Sequence, residues 1–169
     1  MKKNLTLTGM MGVGKSTIGR AVSEQLAMQF VDIDKIIETK LKMTVKNIFE
    51  TKGEFFFRNF EEKVTIHEII KKNMVISLGG GAFMNPKIRN QVISNSKSFW
   101  LDLNPTLLER RLIKSKKRPL LNNKNMRTTL EKIYNERKST YALANYRIDC
   151  NNLTQDLIIA KIIKLYANN

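Results

Sequence analysis

Short apolar runs alternate with longer amphipathic segments along this chain, the pattern of an α/β domain built on a parallel sheet. Five runs read as strands: Leu5 to Thr8, Phe30 to Asp32, Met74 to Leu78, Ser98 to Leu103 and Tyr146 to Asp149. Helical segments are predicted from Lys15 to Met28, Lys35 to Leu41, Glu54 to Lys72, Pro86 to Ile93, Thr106 to Ile113 and Met126 to Leu143, with a closing helix from Thr154. On the longest, Phe56, Phe60, Val64, His67 and the pair Ile69-Ile70 recur at helical spacing along one side. No repeat and no Pro/Gly/Ser-rich linker divides the chain, so residues 1–169 read as one domain. The one break is 114–125, polar and basic around Pro119, which predicts a long loop.

Composition narrows the chemistry. With 42% hydrophobic residues over 169 positions, the chain can bury a real core. One cysteine and one histidine exclude a disulfide within the chain and the usual zinc cages. No apolar stretch suits an export signal or a span of about 20 residues, which points to the cytoplasm and away from a membrane. The balance of 30 Lys plus Arg against 15 Asp plus Glu gives a net charge of +15. That charge fits nucleic acid, an acidic surface or a polyanionic small substrate. Its distribution favours the last: between Thr106 and Thr140, eleven basic and three acidic residues supply +8, more than half the total.

Gly9-Met10-Met11-Gly12-Val13-Gly14-Lys15-Ser16-Thr17 satisfies G-x-x-x-x-G-K-[ST], directly after a predicted strand and opening a predicted helix. Glycines there let successive backbone N–H groups close around a phosphate, and the helix adds the positive end of its dipole. Gly12, Val13, Gly14, Lys15, Ser16 and Thr17 are therefore candidate nucleotide-binding residues. Lys15 would reach the β- and γ-phosphates, and the Ser16 hydroxyl would ligate magnesium. The loop alone does not separate a kinase from a GTPase or a mechanical ATPase.

Phe30-Val31-Asp32-Ile33-Asp34 puts two carboxylates at the carboxyl end of a strand, the edge where α/β sheets collect ligands. One can hold water on a magnesium ion; the other can accept a proton from a hydroxyl nucleophile. The competing role is helix capping, expected of Asp34 before a helix starting at Lys35.

Together these residues make the chain resemble the shikimate kinases, small P-loop enzymes of aromatic amino acid biosynthesis. The resemblance also draws on Gly53-Glu54 with Phe57-Arg58 and Glu61, Leu78-Gly79-Gly80-Gly81-Ala82, Arg118-Pro119-Leu120-Leu121, and Arg137 with Tyr141. It implies a five-stranded parallel sheet flanked by helices, the nucleoside monophosphate kinase-like P-loop fold, with a mobile lid near 114–125. It implies ATP as phosphoryl donor, Mg2+ as cofactor, shikimate as acceptor, and a monomer that needs no nucleic acid or membrane. Residue by residue, Asp34 would bind the ring hydroxyls and act as general base. Arg58 and Arg137 would pair with the carboxylate, and Gly79, Gly80 and Gly81 would floor the pocket. Asp32 and Ser16 would organise magnesium, Arg118 would meet the ATP phosphates, and Arg111 would stack near adenine. Catalytic roles thus fall to Asp34, Lys15 and Arg118.

The residues suit these roles. A carboxylate ligand is best oriented by planar guanidinium forks, and Glu61, three residues after Arg58, can hold one of them. Two departures from the family pattern stand out: Ile33 between the aspartates, and Ser139 two residues after Arg137 in place of proline. The competing functions are another small P-loop kinase, acting on gluconate or a nucleoside monophosphate, and a nucleic-acid-binding NTPase. His67 reads as structural or exposed with no acidic partner, Cys150 as an inert thiol, Trp100 as a buried strand residue, and Phe55, Phe56 and Phe57 as core and pocket wall.

Overall fold

The computed structural model describes residues 3–114 and 125–168. Of the loop expected at 114–125, residues 115–124, with Arg118, lie outside the described residues. Five strands form one parallel sheet in the order β2-β3-β1-β4-β5: β1 Asn4–Thr8, β2 Gln29–Asp32, β3 Met74–Ser77, β4 Ser96–Asp102 and β5 Tyr146–Asp149. The central strands β1 and β3 are buried at every position, because helices cover both faces of the sheet. Leu5, Leu7, Val75 and Ile76 are wholly buried in the core they form.

Among the described residues seven α-helices flank the sheet: α1 Lys15–Leu26, α2 Ile33–Leu41, α3 Val45–Ile69, α4 Pro86–Asn95, α5 Pro105–Lys114, α6 Met126–Tyr141 and α7 Gln155–Ala167. A 3-10 turn, Ala82–Met84, follows β3. Helix α1 stops two residues short of the expected end because Ala27 turns into the left-handed region at φ 52°.

The largest difference from the sequence pattern is α3, which starts nine residues early. Thr44 caps it by accepting a hydrogen bond from Asn47 N at 3.2 Å. Gly53, at φ 80° and ψ 166°, then interrupts the helical path, so the two halves carry separate periodicities and only the second is visible in the sequence. The buried stripe is also rotated by one residue, running through Phe57, Glu61, Val64, Thr65 and Glu68. Phe55 and Ile70 face solvent, 82% and 60% exposed. Three consecutive phenylalanines leave the phase of the stripe undetermined; the packing of Glu61 toward the sheet sets it. Phe56 is also exposed, though it stacks on Phe60, so of the three only Phe57 is core.

The capping role falls to Asp32 rather than Asp34. Asp32 Oδ1 accepts from Lys35 N at 3.3 Å, while Asp34 lies inside the first turn of α2. Helix α2 begins two residues earlier than the sequence suggests, which moves the cap upstream with it.

Candidate active site

Loops after β1, β2 and β3 meet at the carboxyl edge of the sheet around a cleft of about 300 Å³. The loop after β1 winds through Gly12 and Gly14 at φ 78° and 103°, conformations costly for any residue with a Cβ, and delivers the chain into α1. Lys15 is buried at the start of that helix, and its Nζ donates to the carbonyls of Gly9 and Met10, both at 2.9 Å. The ammonium is thereby held over the loop that would surround a phosphate. Ser16 Oγ donates to Asp32 Oδ2 at 2.5 Å, so the hydroxyl and carboxylate expected to share a metal are already in contact. Gly12, Gly14, Lys15, Ser16, Thr17 and Asp32 all line the cleft. Val13 does not: its side chain is wholly buried in the core, and only its backbone faces the loop. Arg111, on α5, donates from Nη1 to the Val13 carbonyl at 3.0 Å, which places its guanidinium against the phosphate loop.

Beside this cradle, four charged side chains converge on the glycines after β3. A Cβ on Gly79 would lie 2.5 Å from Glu61 Oε1 and 2.8 Å from Asp34 Oδ1. One on Gly81 would lie 2.7 Å from both terminal nitrogens of Arg58. Gly79 and Gly81 are glycine because carboxylates and a guanidinium occupy the space of their side chains. Arg137 Nη1 and the Tyr141 hydroxyl both donate to the Gly80 carbonyl, at 3.1 and 2.5 Å. Asp34 and Gly80 line the cleft shared with Lys15 and Ser16, so the charged cluster and the loop after β1 border one space.

Glu61 holds Arg58 as its spacing predicts: Nη1 donates to Oε2 at 2.8 Å, and Glu54 takes Nε at 3.2 Å. The pair is asymmetric. Burial pushes the Glu61 carboxyl up, against the pull of Arg58, and the nearby Asp34 charge pushes the same way. For Arg58, burial favours the neutral form, but Glu61 and Glu54 together outweigh it and hold the guanidinium more basic. Glu61 is 1% exposed, so it carries most of the desolvation cost of orienting Arg58. Its Oε1 has no hydrogen-bond partner among the described residues and lies against the Gly79 backbone.

Of the residues expected at the site, the structure gathers Gly12, Gly14, Lys15, Ser16, Thr17, Asp32, Asp34 and Gly80 around the cleft. It sets Arg58 and Arg137 against the glycines after β3 and Arg111 against the phosphate loop, and turns the Val13 side chain into the core. Arg118 lies outside the described residues. Sequence reasoning missed Met11, Ser77, Leu78 and Leu112 in the cleft wall, since nothing but their proximity to the motifs marks them. His67 is exposed as expected, but it does have an acidic partner: Nδ1 lies 3.0 Å from Glu68 Oε1, the next residue in sequence. Cys150 is buried, and desolvation pushes its thiol up to about 11.

A sheet edge that sets a phosphate cradle against an anion-binding pocket defines the class: this is a P-loop kinase. The family model described as shikimate kinase matches residues 11–167. The chain is 40% identical to a shikimate kinase of Sulfurihydrogenibium sp. over 95% of its own length and 96% of that protein. It is 37% identical to one from Thermoanaerobacter pseudethanolicus, over 97% and 96% of the two chains. The structure of shikimate kinase from Acinetobacter baumannii in complex with shikimate superimposes with a TM-score of 0.90 at 33% identity, covering 96% of this chain and 92% of that one. The chain belongs to the shikimate kinase family.

Proposed function

We propose that this chain transfers the γ-phosphoryl group of ATP to the 3-hydroxyl of shikimate, giving shikimate 3-phosphate and ADP. The observation that carries the reading is the convergence of Asp34, Arg58 and Arg137 on the Gly79–Gly81 backbone, beside the cleft that Asp34 and Gly80 share with Lys15. Arg58 and Arg137 take the acceptor's carboxylate and so fix which face of the ring meets the donor. Asp34 orients the attacking hydroxyl and accepts its proton. Lys15 exchanges its two backbone carbonyls for phosphate oxygens and neutralises charge on the transferred group. Arg111 contacts the nucleotide from α5, and Arg118 is assigned to the ATP phosphates on the family resemblance alone. No covalent intermediate on the protein is required.

Magnesium fits the residues present. Ser16 and Asp32 supply a hydroxyl and a carboxylate, hard oxygen donors already in contact, and such a site leaves the remaining positions to phosphates and water. Held by Ser16 and Asp32, the ion would supply positive charge to offset the charge that develops on the transferred phosphoryl group. Asp32 caps α2 through Oδ1 and meets Ser16 through Oδ2, so its orientation is set by the fold before any ion arrives. A single domain, acting as a monomer in the cytoplasm, completes the proposal. One continuous sheet supports the single domain; the monomer and the compartment rest on the family resemblance.

The test is ADP release measured with shikimate, gluconate and nucleoside monophosphates as acceptors. Shikimate-dependent turnover is expected; turnover with gluconate or a nucleotide alone would assign a different acceptor. Asp34→Asn should lower kcat by about 10²- to 10⁴-fold while leaving ATP affinity intact. A fall in ATP affinity instead would remove Asp34 from the acceptor side.

A further inference from the structure

The Gly80 carbonyl is held twice, by Arg137 and Tyr141, four residues apart on one face of α6. The phosphoryl transfer proposed above makes no use of Tyr141. Its ring is wholly buried and stacks on Trp100 with centroids 5.9 Å apart. Burial raises the phenol's pKa against the pull of Arg137 and Arg58, so the hydroxyl remains a donor at neutral pH.

The two hydrogen bonds to Gly80 differ in what competes for them. Arg137 is one of the two guanidiniums assigned to the acceptor's carboxylate, and a carboxylate is a stronger acceptor than a peptide carbonyl. When the substrate draws on Arg137, the Gly80 carbonyl can lose that partner. The buried phenol is not exposed to the same competition. A planar peptide points its C=O and N–H in opposite directions. Fixing Gly80 O against α6 therefore fixes the Gly81 N–H on the other side of the loop, and Gly81 is the residue against which the Arg58 guanidinium lies.

We propose that Tyr141 is a positioning residue of the acceptor site: its hydroxyl holds the Gly80–Gly81 peptide in place while Arg137 turns to the acceptor's carboxylate. This rests on the reading of the pocket as a shikimate site. A purely structural tyrosine would instead matter only through its stack on Trp100.

Tyr141→Phe separates these roles, because it keeps the ring and the stack and leaves Gly80 O with Arg137, so the variant folds. Kinetics with each substrate varied, thermal unfolding, and calorimetric titration with shikimate are measured on the native protein, on Tyr141→Phe and on Trp100→Phe. In Tyr141→Phe, KM for shikimate should rise about tenfold, the scale of one hydrogen bond, with calorimetric affinity falling in step and KM for ATP within about twofold. Trp100→Phe should lower Tm and leave KM for shikimate within about twofold. Unchanged shikimate affinity in Tyr141→Phe overturns the proposal, as does an equal rise in KM in Trp100→Phe. A native protein that neither binds nor phosphorylates shikimate overturns the reading of the pocket, and this proposal with it.

Discussion

Gly79 has no side chain, yet the position of two others depends on it. Glu61 and Asp34 approach its Cα from separate helices, to within the volume a methyl group would fill. Gly79→Ala must push at least one carboxylate away, and both are anchored: Glu61 by Arg58, Asp34 by its place in the first turn of α2. Shikimate-dependent kcat/KM should fall by about a hundredfold or more, while ATP affinity, set by the loop after β1, stays within a few-fold. Varying each substrate separately distinguishes this from global damage. The same residue shows where a sequence stops being informative. Three glycines at a strand end announce a close approach of something to the backbone, and only the fold shows that it is carboxylates at the first and a guanidinium at the third.

At the scale of elements, α6 decides the acceptor site, and it is fastened to the sheet at two levels. Below Arg137, Tyr141 reaches Gly80. Above it, the Tyr134 hydroxyl donates to Asp102 Oδ1 at 2.9 Å, and Arg147 of β5 takes Oδ2 through Nε at 2.8 Å and Nη2 at 2.6 Å. Asp102 is buried with both oxygens paired, and Arg147 also lies over the Trp100 ring. Burial, and then the bond to Asp102, push the Tyr134 phenol up to about 12, above the ordinary value of 10.0 it regains on unfolding. A raised value means that the native state keeps a proton the unfolded chain releases. The stability involved is complete below pH 10 and is lost as pH rises toward about 12. Urea unfolding between these limits should show a steeper fall for the native protein than for Tyr134→Phe; parallel curves would remove Tyr134 from the clamp. The boundaries of α6 were legible from its apolar spacing, since the helix begins at Met126 as expected. Its rotation about the sheet was not, because Tyr134 and the Asp102 that holds it lie 32 residues apart and nothing local links them.

Taken whole, the molecule is a basic body around a site for anions. The net charge is +15, and +8 of it lies between Thr106 and Thr140, the segment that carries Arg111 and Arg137. On the proposed function both substrates are anions, and a field of this sign would draw them toward the cleft. Such attraction is screened over about 10 Å at 0.1 M salt. Raising the salt from about 20 to about 300 mM at fixed magnesium should therefore lower kcat/KM for shikimate several-fold while kcat changes little. A kcat/KM insensitive to salt would assign the charge no part in substrate capture.

The sequence by itself determined the order of strands and helices, the phosphate loop and the residue types of the acceptor site. These are local facts: a strand is an apolar run, and the loop is a pattern of glycines, lysine and serine whose spacing the phosphate dictates. The strand order β2-β3-β1-β4-β5, the kink at Gly53, the inward turn of Glu61 and the double hold on Gly80 were decided by tertiary structure. Each depends on which distant segment fills the space beside a residue, and a buried charge accepts its desolvation cost only where the partner delivered by the fold offsets it.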